Sequence, residues 1–584
     1  MKLRNTIAAW LLAAFTASAA CAQQAADAVA PEIESGRVAK PSVVAWRQMV
    51  VSANPLATEA GLAVLREGGS AADALIAVQT VLGLVEPQSS GIGGGGFLVW
   101  YDAATGEVTT IDGRETAPAS ATENLFIGAD GKPLKFFDAV VGGRSVGTPG
   151  IVRLMEMIHA RHGKLAWHDL FGEATRLAEE GFTVSARLAA LIEADRERLS
   201  SQPSTRRYFF HDDGEPLKEG DRLTNVDYAE SMRSIAQSGP DAFYGGAIAD
   251  AIVNAVQLHE TNPGHMNAED LAGYQAKARD AVCAPYREYQ VCGMGPPSSG
   301  ALTIGQILTM IEPFDLAELG PDDPVTWRII GDATRLAFAD RGRYMADSDF
   351  VKIPAQLLDR NYLAERSALL IRQNALPPDL VKPGEPPWDK AELRRDGFSF
   401  ELPSTSHFVI VDGDGNIVSM TTSIENGFGA RLMAAGFLLN NQLTDFSFLP
   451  ESDGEAVANR VEPGKRPRSS MSPTIILKDG KPVFALGSPG GSNIIPYVAK
   501  TIVALIDWKM DPQEAVSLPH LTNRFGRYDV EAGTAAEAMA PDLEAFGYEV
   551  SIRELNSGLH AIAFADGAIL GGADPRREGL AAGD

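Results

Sequence analysis

The residues Ser404-Thr405-Ser406-His407-Phe408 lie where a proline-rich tract gives way to a strand-like run. A threonine at the start of a chain carries a nucleophilic hydroxyl and, in its own free α-amine, a general base. The ordinary pKa of that amine, about 7.7–8, lets it take up the hydroxyl proton near neutral pH. One cut before Thr405 would therefore create a complete catalytic unit, whereas an uncut Thr405 is only a threonine at the beginning of a strand.

The residues after Thr405 have the period-two pattern of β-strands, interrupted by turn signals. The predicted elements, in order, are strands 407–412 and 417–424, strands 475–478 and 483–486 around Asp479-Gly480, a helix over 494–508, and a hairpin at Asp566-Gly567. An Asp-Gly pair between alternating segments is a strong signal for a type I′ hairpin. Strands followed by helices that pack on them indicate an α+β fold of layered sheets and helices.

The N-terminal part of the chain has start and stop signals for two helices. Asn54-Pro55 opens a helix that stops at Gly68-Gly69, because proline suits the first turn and glycine the position past the end. Ser70 then caps a second helix over 71–85, and Asp73 completes the cap.

A proline-rich tract, residues 376–404, separates the helical middle of the chain from the strands that follow. It contains Pro377-Pro378, Pro383 and Pro386-Pro387, and it carries a charged patch over 389–396. This composition predicts an extended, poorly packed and flexible connector. It ends at the bond before Thr405.

No motif for metal, nucleotide or cofactor binding is present. The glycines at 91–96 formally contain G-x-G-x-x-G, but they precede a strand over 97–101, whereas a dinucleotide loop follows a strand and opens a helix. The sequence lacks H-E-x-x-H, C-x-x-C and a P-loop. His211-Asp212-Asp213 is interpreted as a solvated loop. We therefore expect no cofactor and no metal.

The 584 residues carry a net charge of -25, with 45% hydrophobic residues. Such a composition is typical of folded globular proteins. The negative charge argues against nucleic acid and anionic membrane surfaces as partners, because both select basic patches.

The first residues resemble an export signal. Lys2 and Arg4 precede an apolar run over 7–20, which is short for a membrane span, and Ala20-Cys21-Ala22 has the small-x-small form of a cleavage site. We expect residues 1–22 to be a signal peptide and the mature protein to be periplasmic or secreted, without a membrane span. Lipid anchoring at Cys21 is the alternative.

Two cysteines remain after that segment is removed. A hairpin that turns at Arg287-Glu288 would place Cys283 opposite Cys292 at a non-hydrogen-bonded position, where the Cα atoms are close enough for a disulfide. An oxidising compartment would favour the bond. The alternative is two free thiols in a different register.

The chain resembles the γ-glutamyltransferase (glutathione hydrolase) family of the N-terminal nucleophile hydrolases, from about residue 50 to residue 578. The resemblance lies in motifs that occur in the family's order: Asn54-Pro55-Leu56-Ala57, Glu86-Pro87-Gln88-Ser89-Ser90-Gly91-Ile92-Gly93-Gly94-Gly95, Arg114-Glu115, Asn440-Asn441-Gln442, Lys465-Arg466-Pro467, Ser469-Ser470-Met471-Ser472-Pro473-Thr474 and Gly487-Ser488-Pro489-Gly490-Gly491-Ser492.

This resemblance implies a four-layer αββα sandwich and a precursor that cuts itself between Ser404 and Thr405. The products would be a large subunit, residues 23–404, and a small catalytic subunit, residues 405–584, which stay associated. Glutathione and other γ-glutamyl amides would be the donors, and water, an amino acid or a peptide would be the acceptor.

The resemblance also assigns roles to the site residues. Thr405 would be the nucleophile, Ser423 would support it, and the backbone N–H groups of Gly490 and Gly491 would form the oxyanion hole. A γ-glutamyl group carries an α-carboxylate and an α-ammonium on one carbon, so its site needs donors and an anion. The implied substrate-binding residues are Arg114, Ser469 and Ser470 for the carboxylate, and Asp445, Glu425 and Gln442 for the ammonium.

Two other functions stay open at this point. One is a glutaryl-type acylase of the same fold, such as a cephalosporin acylase, although its donor lacks the ammonium that Asp445 and Glu425 would bind. The other is a non-catalytic binding protein that keeps the fold, although Thr405, Arg114 and the glycine pair are all present.

Overall fold

The strand that follows Thr405 shows how the sequence builds layers. The computed structural model describes residues 36–387, 395–397, 399–401 and 404–584. In the strand Ser406–Val411, Phe408 and Ile410 pack against helices on one side, while Val409 and Val411 pack against a second sheet on the other. This alternation follows from the two-residue period of a strand. Both faces of the strand are therefore buried.

The strands of the described residues are β1 Val43–Ala45, β2 Met49–Ser52, β3 Gly95–Tyr101, β4 Val108–Gly113, β5 Phe182–Thr183, β6 Arg222–Leu223, β7 Lys277–Tyr286, β8 Tyr289–Met294, β9 Ser406–Val411, β10 Ile417–Ser423, β11 Met433–Ala434, β12 Phe437–Leu438, β13 Glu451–Ser452, β14 Glu455–Ala456, β15 Thr474–Lys478, β16 Lys481–Gly487, β17 Leu521–Thr522, β18 Arg527–Glu531, β19 Glu549–Arg553, β20 His560–Ala565, β21 Ala568–Ala573 and β22 Leu580–Gly583.

The helices of the same residues are α1 Pro55–Arg66, α2 Ala71–Val85, α3 Phe136–Val140, α4 Ile151–His162, α5 Gly172–Glu180, α6 Ala186–Ala194, α7 Arg196–Ser201, α8 Pro203–Phe209, α9 Val226–Ser238, α10 Asp241–Tyr244, α11 Gly246–Gln257, α12 Ala268–Ala272, α13 Gly300–Ile311, α14 Leu316–Leu319, α15 Pro324–Tyr344, α16 Arg360–Ala368, α17 Ile494–Ile506, α18 Pro512–Ser517 and α19 Ala540–Ala545. Single 3₁₀ turns at Gln442–Asp445 and Gly491–Asn493 contribute to the site described below.

Thirteen strands form one antiparallel ladder in the order β1-β21-β20-β16-β15-β8-β7-β4-β3-β10-β9-β2-β22. The ladder folds into two layers at β7, whose first residues pair with β4 and whose later residues pair with β8. Apolar side chains from both layers, such as Val409 of β9 and Ile475 of β15, share the core between them. The two sheets thus pack face to face.

Helices cover the outer face of each sheet. Those on the β9–β10 side include α2 and α4, which pack on residues such as Met420, and those on the β15–β16 side include α13, α15 and α17, which pack on residues such as Ile476. The predicted αββα sandwich is confirmed. Each layer owes its place to an apolar strand face that only a helix or the other sheet can bury.

Local predictions hold closely in this structure. Ser70 and Asp73 form the predicted capping box of α2, and Asn54 caps α1. Asp479 and Asp566 have φ values of +51°, as type I′ hairpins require. A disulfide joins Cys283 to Cys292 in the predicted register, across a Cα–Cα distance of 4.0 Å. The alternative of two free thiols is wrong.

The proline-rich tract differs from its prediction at its end. Ser399, Glu401 and Ser404 are all buried, because the described residues before Thr405 pack into the body of the protein. The expectation of a poorly packed tract is therefore wrong for these residues. The predicted signal peptide, residues 1–22 with Cys21, lies outside the described residues, as does most of the charged patch over 389–396.

Candidate active site

The bond between Ser404 and Thr405 is intact and buried at the start of β9. Ser404 Oγ donates to the carbonyl of Gln88 at 2.8 Å, and Arg577 Nη1 donates to the carbonyl of Thr405 at 2.9 Å. Ser406 Oγ lies 3.1 Å from Ser90 Oγ. The loop between α2 and β3 therefore contacts the chain on both sides of this bond, and Arg577 holds the carbonyl that follows it.

Two hydroxyls converge on the carbonyl that precedes Thr405. Thr405 Oγ1 donates to Ser404 O at 2.5 Å, and Ser423 Oγ donates to the same oxygen at 3.0 Å. The two hydroxyl oxygens lie 3.2 Å apart. Ser423 also accepts from the backbone N–H of Glu425 at 2.9 Å, which fixes its rotamer. Hydrogen bonds from both hydroxyls draw electron density from the carbonyl carbon of Ser404 and make it more electrophilic.

Thr405 opens onto a cavity that collects most of the predicted site residues. The residues that line it are Arg114, Glu401, Thr405, Ser423, Glu425, Gln442, Asp445, Ser469, Ser470, Met471, Gly491 and Ile494. Gly490 is adjacent to this lining without being part of it. The predicted residues come from six separate segments of the chain, so the fold itself creates the cluster.

One end of the cavity, called the acidic end here, consists of Asp445, Glu425 and Gln442. Gln442 Nε2 donates to Asp445 Oδ2 at 2.8 Å within one 3₁₀ turn, and Asn441 Nδ2 donates to Glu425 Oε2 at 2.5 Å. Among the described residues, neither Asp445 Oδ1 nor Gln442 Oε1 has a hydrogen-bond partner. These two buried acceptors are open to a donor group of a ligand.

Arg114 is paired with the acidic end in the uncut chain. Its Nη2 lies 2.5 Å from Asp445 Oδ2 and 3.0 Å from the carbonyl of Arg468. Burial raises the pKa of Asp445, and the Arg114 guanidinium opposes that shift. Arg114 and Asp445, which the resemblance assigns to opposite charges of a donor, thus bind each other here.

A second group, called the basic end here, consists of Arg341, Arg468 and Ser470 and holds the carboxylate of Glu401. Ser470 and Glu401 line the cavity, and the two arginines contact Glu401 from behind that lining. Arg341 Nη2 lies 2.6 Å and 2.5 Å from the two carboxylate oxygens, Ser470 Oγ lies 2.5 Å from Oε2, and Arg468 Nε lies 3.3 Å from Oε1. Ser399 Oγ donates to Oε1 at 2.9 Å.

The pKa values of this group reflect the balance between burial and neighbouring charges. Burial acts to raise the pKa of Glu401, but the guanidinium groups of Arg341 and Arg468 outweigh burial and lower the pKa to about 2. Burial lowers the pKa of Arg468 to about 10, and the neighbouring charge of Arg341 adds to that shift. The carboxylate is therefore the counter-ion that two adjacent buried cations require.

The glycine pair forms the turn between β16 and α17. Gly490 has φ +134° and Gly491 has φ +57°, and a Cβ on Gly490 would lie 2.9 Å from the ring of Tyr497. Side chains are disfavoured at both positions, which leaves the backbone close to the cavity. The predicted oxyanion role of these N–H groups stays a prediction.

Sequence reasoning missed Glu401, Arg341 and Arg468. A glutamate in a proline-rich tract has the appearance of a solvated charge, and Arg341 lies within an ordinary helical pattern. Arg468 had a usable signal, because it stands directly between two quoted motifs. Only the fold shows that these three side chains meet.

Neither a metal site nor a membrane helix is found in the part of the chain that the structure describes. No three His, Cys, Asp or Glu side chains there are grouped to hold a metal ion. No helix of those residues has the length and apolarity needed to cross a bilayer.

An αββα sandwich with a buried threonine directly before a central strand, beside an activated carbonyl, defines the class of the N-terminal nucleophile hydrolases. The family model of gamma-glutamyltranspeptidase matches residues 57–584. The chain belongs to this family. The predicted function, an autoprocessing γ-glutamyl hydrolase/transferase, is thereby confirmed at the level of the family.

Individual proteins agree with this placement. The glutathione hydrolase proenzyme of Bacillus subtilis (strain 168) is 37% identical over 550 residues, which cover 92% of this chain and 91% of that protein. The glutathione hydrolase proenzyme of Escherichia coli (strain K12) is 36% identical over 573 residues, or 96% of each. A solved cephalosporin acylase from Bacillus halodurans superposes with a TM-score of 0.80 at 26% identity, over 95% of this chain and 99% of that one.

Proposed function

We propose that this chain cuts itself between Ser404 and Thr405 and that the new N-terminal Thr405 transfers γ-glutamyl groups from glutathione and related amides. The acceptor is water, an amino acid or a peptide. The observation that supports the proposal is the convergence of two hydroxyls on the Ser404 carbonyl, beside a cavity with one acidic and one basic end.

Self-cleavage begins with attack of Thr405 Oγ1 on the carbonyl carbon of Ser404. The C–N bond breaks, the nitrogen takes the proton that the hydroxyl gives up, and the acyl group moves from nitrogen to oxygen as an ester. Water then hydrolyses the ester, which releases the Ser404 carboxylate and restores the Thr405 hydroxyl. Ser423 polarises the carbonyl throughout the first step.

Turnover uses the α-amine that self-cleavage creates. The amine of Thr405 takes the hydroxyl proton while Oγ1 attacks the γ-carbonyl of the donor, and the leaving amine carries that proton away. The resulting γ-glutamyl ester is then attacked by water or by an acceptor amine, which is a ping-pong scheme. The backbone N–H groups of Gly490 and Gly491 would stabilise the oxyanion in both halves.

The cavity suits a donor that carries both charges of an amino acid. Its ammonium would bind Asp445, whose Oδ1 is open among the described residues, together with Glu425 and Gln442. Its carboxylate would bind Arg114, Ser469 and Ser470. For Arg114 this requires the guanidinium to share its present ion pair with the donor.

A glutaryl-type acylase is the second candidate, favoured by the close superposition on the Bacillus halodurans enzyme. A glutaryl group has no ammonium, so it would leave Asp445 without a ligand partner in a buried site. Parallel assays with γ-glutamyl and glutaryl p-nitroanilide separate the two. Faster turnover of the glutaryl compound would favour the acylase.

The subunit boundaries and the location belong to the same proposal. Cleavage would give a large subunit of residues 23–404 and a small subunit of residues 405–584. Export through the signal peptide over 1–22 would place the enzyme in the periplasm or outside the cell, where the Cys283–Cys292 disulfide is stable.

Mass spectrometry and N-terminal sequencing of the purified protein test this proposal. The wild type should give two chains, the smaller beginning at Thr405, whereas Thr405→Ala should stay as one inactive chain. Thr422→Ala is the control, because this buried threonine of β10 has no hydrogen-bond partner for its hydroxyl among the described residues. Turnover or cleavage in Thr405→Ala would refute the proposal.

A further inference from the structure

The uncut chain places one of its own carboxylates inside the donor cavity. Glu401 lies four positions before Thr405, lines the same cavity, and has a side chain that is only 4% exposed. Its carboxylate accepts from two guanidinium groups and two hydroxyls, so both oxygens are fully used. The side chains around this carboxylate therefore form an anion-binding site, and Glu401 is its ligand.

The basic end requires an anion whether or not the chain is cut. Arg341 and Arg468 are both buried, and Glu401 is the carboxylate that both contact. Removing one partner of a buried charge group leaves an uncompensated charge, which is strongly unfavourable. If Glu401 leaves the cavity, another carboxylate must replace it.

The donor offers that carboxylate. Ser470, which the family resemblance assigns to the donor carboxylate, donates its hydroxyl to Glu401 in the uncut chain. Arg114, assigned to the same group, is held by Asp445 at the acidic end. Two groups assigned to the donor carboxylate, Ser470 and Arg114, are therefore bound to side chains of the precursor itself.

We propose that Glu401 occupies the donor-carboxylate subsite until the chain is cut, and that Arg341 and Arg468 belong to this subsite as charged ligands. This inference rests on the proposed γ-glutamyl transfer. It assigns to Glu401 two tasks in the precursor: to exclude donors and to position the bond that is cut.

Exclusion follows from the covalent link. A group on a short tether has an effective concentration on the order of millimolar in its own site, so a free donor must compete with a ligand that cannot diffuse away. After the cut, Glu401 lies close to a chain end and is no longer linked to Thr405. Glu401 can then leave the subsite, and a donor can bind there.

Positioning follows from the place of Glu401 in the chain. Its carboxylate is fixed by the basic end, and its carbonyl accepts from the backbone N–H of Ser492 at 3.3 Å, in the glycine turn. Its φ of +41° is a conformation that residues with side chains adopt rarely, and the surrounding contacts hold it there. Glu401 thus fixes the chain four positions before Thr405, while β9 fixes the chain directly after Thr405.

Calorimetric titration of uncut protein with L-glutamate tests the exclusion. The Thr405→Ala chain should bind L-glutamate at least tenfold more weakly than Thr405→Ala/Glu401→Ala. Thr405→Ala/Asp396→Ala is the matched control, because Asp396 is an exposed acid of the same tract that pairs with Arg343, and it should behave as Thr405→Ala. Affinities that are equal with and without Glu401, for glutarate as well as for L-glutamate, would overturn the inference.

Glutarate, which lacks the ammonium, separates this inference from the proposed function. If replacing Glu401 raises the affinity for glutarate but not for L-glutamate, the carboxylate subsite is supported and the γ-glutamyl donor is contradicted. If the replacement raises the affinity for neither ligand, although the wild type turns over γ-glutamyl p-nitroanilide, only the inference about Glu401 is overturned. If the Glu401→Ala chain fails to fold, Thr405→Ala/Glu401→Gln keeps the side-chain shape and should still gain at least threefold in affinity for L-glutamate.

The rate of self-cleavage tests the positioning. Glu401→Gln in a chain that keeps Thr405 should cut at least tenfold more slowly than the wild type, whereas Asp396→Asn should cut within twofold of it. Cleavage of Glu401→Gln at the wild-type rate would overturn the positioning role. A purely structural role for Glu401 would not produce the gain in L-glutamate affinity.

Discussion

The two ends of the cavity are in different states in the same molecule. At the basic end, Arg341, Arg468 and Ser470 have a complete partner in Glu401. At the acidic end, Asp445 and Gln442 each keep a buried oxygen without a partner among the described residues. The basic end is therefore occupied by a side chain of the protein itself, whereas the acidic end keeps free acceptor oxygens.

This difference indicates what maturation has to change. The open acceptors at the acidic end can receive an ammonium without rearrangement, except that Arg114 has to share its ion pair with the donor. The basic end must exchange one carboxylate for another. The cut at Ser404 would thus do more than produce the amine of Thr405, because it would also free the segment that carries Glu401.

Asp445→Asn should break the acidic end and have the largest effect on a cleaved enzyme. Removing one member of a buried ion pair typically costs about 3–5 kcal/mol, so kcat/KM for γ-glutamyl p-nitroanilide should fall at least about a hundredfold. Self-cleavage should persist, since Asp445 does not contact Ser404 or Thr405. Steady-state kinetics on the two-chain protein measures the effect.

Two truncated donors make the Asp445 test specific. The effect should remain with 4-aminobutyryl p-nitroanilide, which keeps the ammonium, and should be small with glutaryl p-nitroanilide, which lacks it. Asp453→Asn, at an exposed position of the β13–β14 turn, is the control. Equal losses for all three donors would show that Asp445 does not bind the ammonium.

Arg468→Gln should weaken the basic end with a smaller effect. Hydrogen bonds to charged groups contribute about 1.5–3 kcal/mol, and Arg341 remains, so kcat/KM for the γ-glutamyl donor should fall about tenfold to a hundredfold. The pattern across donors should be the reverse of that for Asp445. The glutaryl compound should lose activity, and the 4-aminobutyryl compound should keep it.

The control for this substitution is Arg460→Gln, an arginine of the same region that pairs with Glu123 and Glu462 outside the cavity. Its kinetics should match those of the wild type with all three donors. A selective loss with the 4-aminobutyryl compound in Arg468→Gln would place the carboxylate elsewhere.

The same two ends show which site residues can be predicted from the sequence and which cannot. Arg114, Asp445, Gln442 and Ser470 were predicted from motifs, and all four line the cavity. Hairpins and caps were predicted because their signals lie within a few residues, as with Ser70 and Asp73 in the capping box of α2.

Glu401 could not be predicted, because its partners lie far along the chain. Arg341 is 60 residues before it and Arg468 is 67 residues after it. No local pattern encodes such a meeting. The rule that a charge in a proline-rich tract is solvated was overridden by two buried cations that need a counter-ion. The packed end of the tract has the same cause, since Glu401 and Ser404 are both held by long-range contacts.

The acid stability of the uncut chain measures the basic end with the smallest expected effect. The pKa of Glu401 in the folded chain is about 2, below its ordinary value of 4.5, because the charges of Arg341 and Arg468 outweigh both burial and the more distant Asp445. A depressed carboxyl pKa adds stability above pH 4.5, and that contribution is lost as the pH falls towards 2.

For the Thr405→Ala chain, the free energy of unfolding should therefore drop more between pH 5 and pH 3.5 than it does in Thr405→Ala/Glu401→Gln. The linkage relation gives a difference of about 1 kcal/mol for this one group, measured by urea unfolding at the two pH values. Other buried acids with a low pKa, such as Asp574, are present in both chains and cancel in the comparison. Identical pH dependence in the two chains would mean that the Glu401 carboxylate is not bound by the basic end, and the difference between the two ends of the cavity would disappear with it.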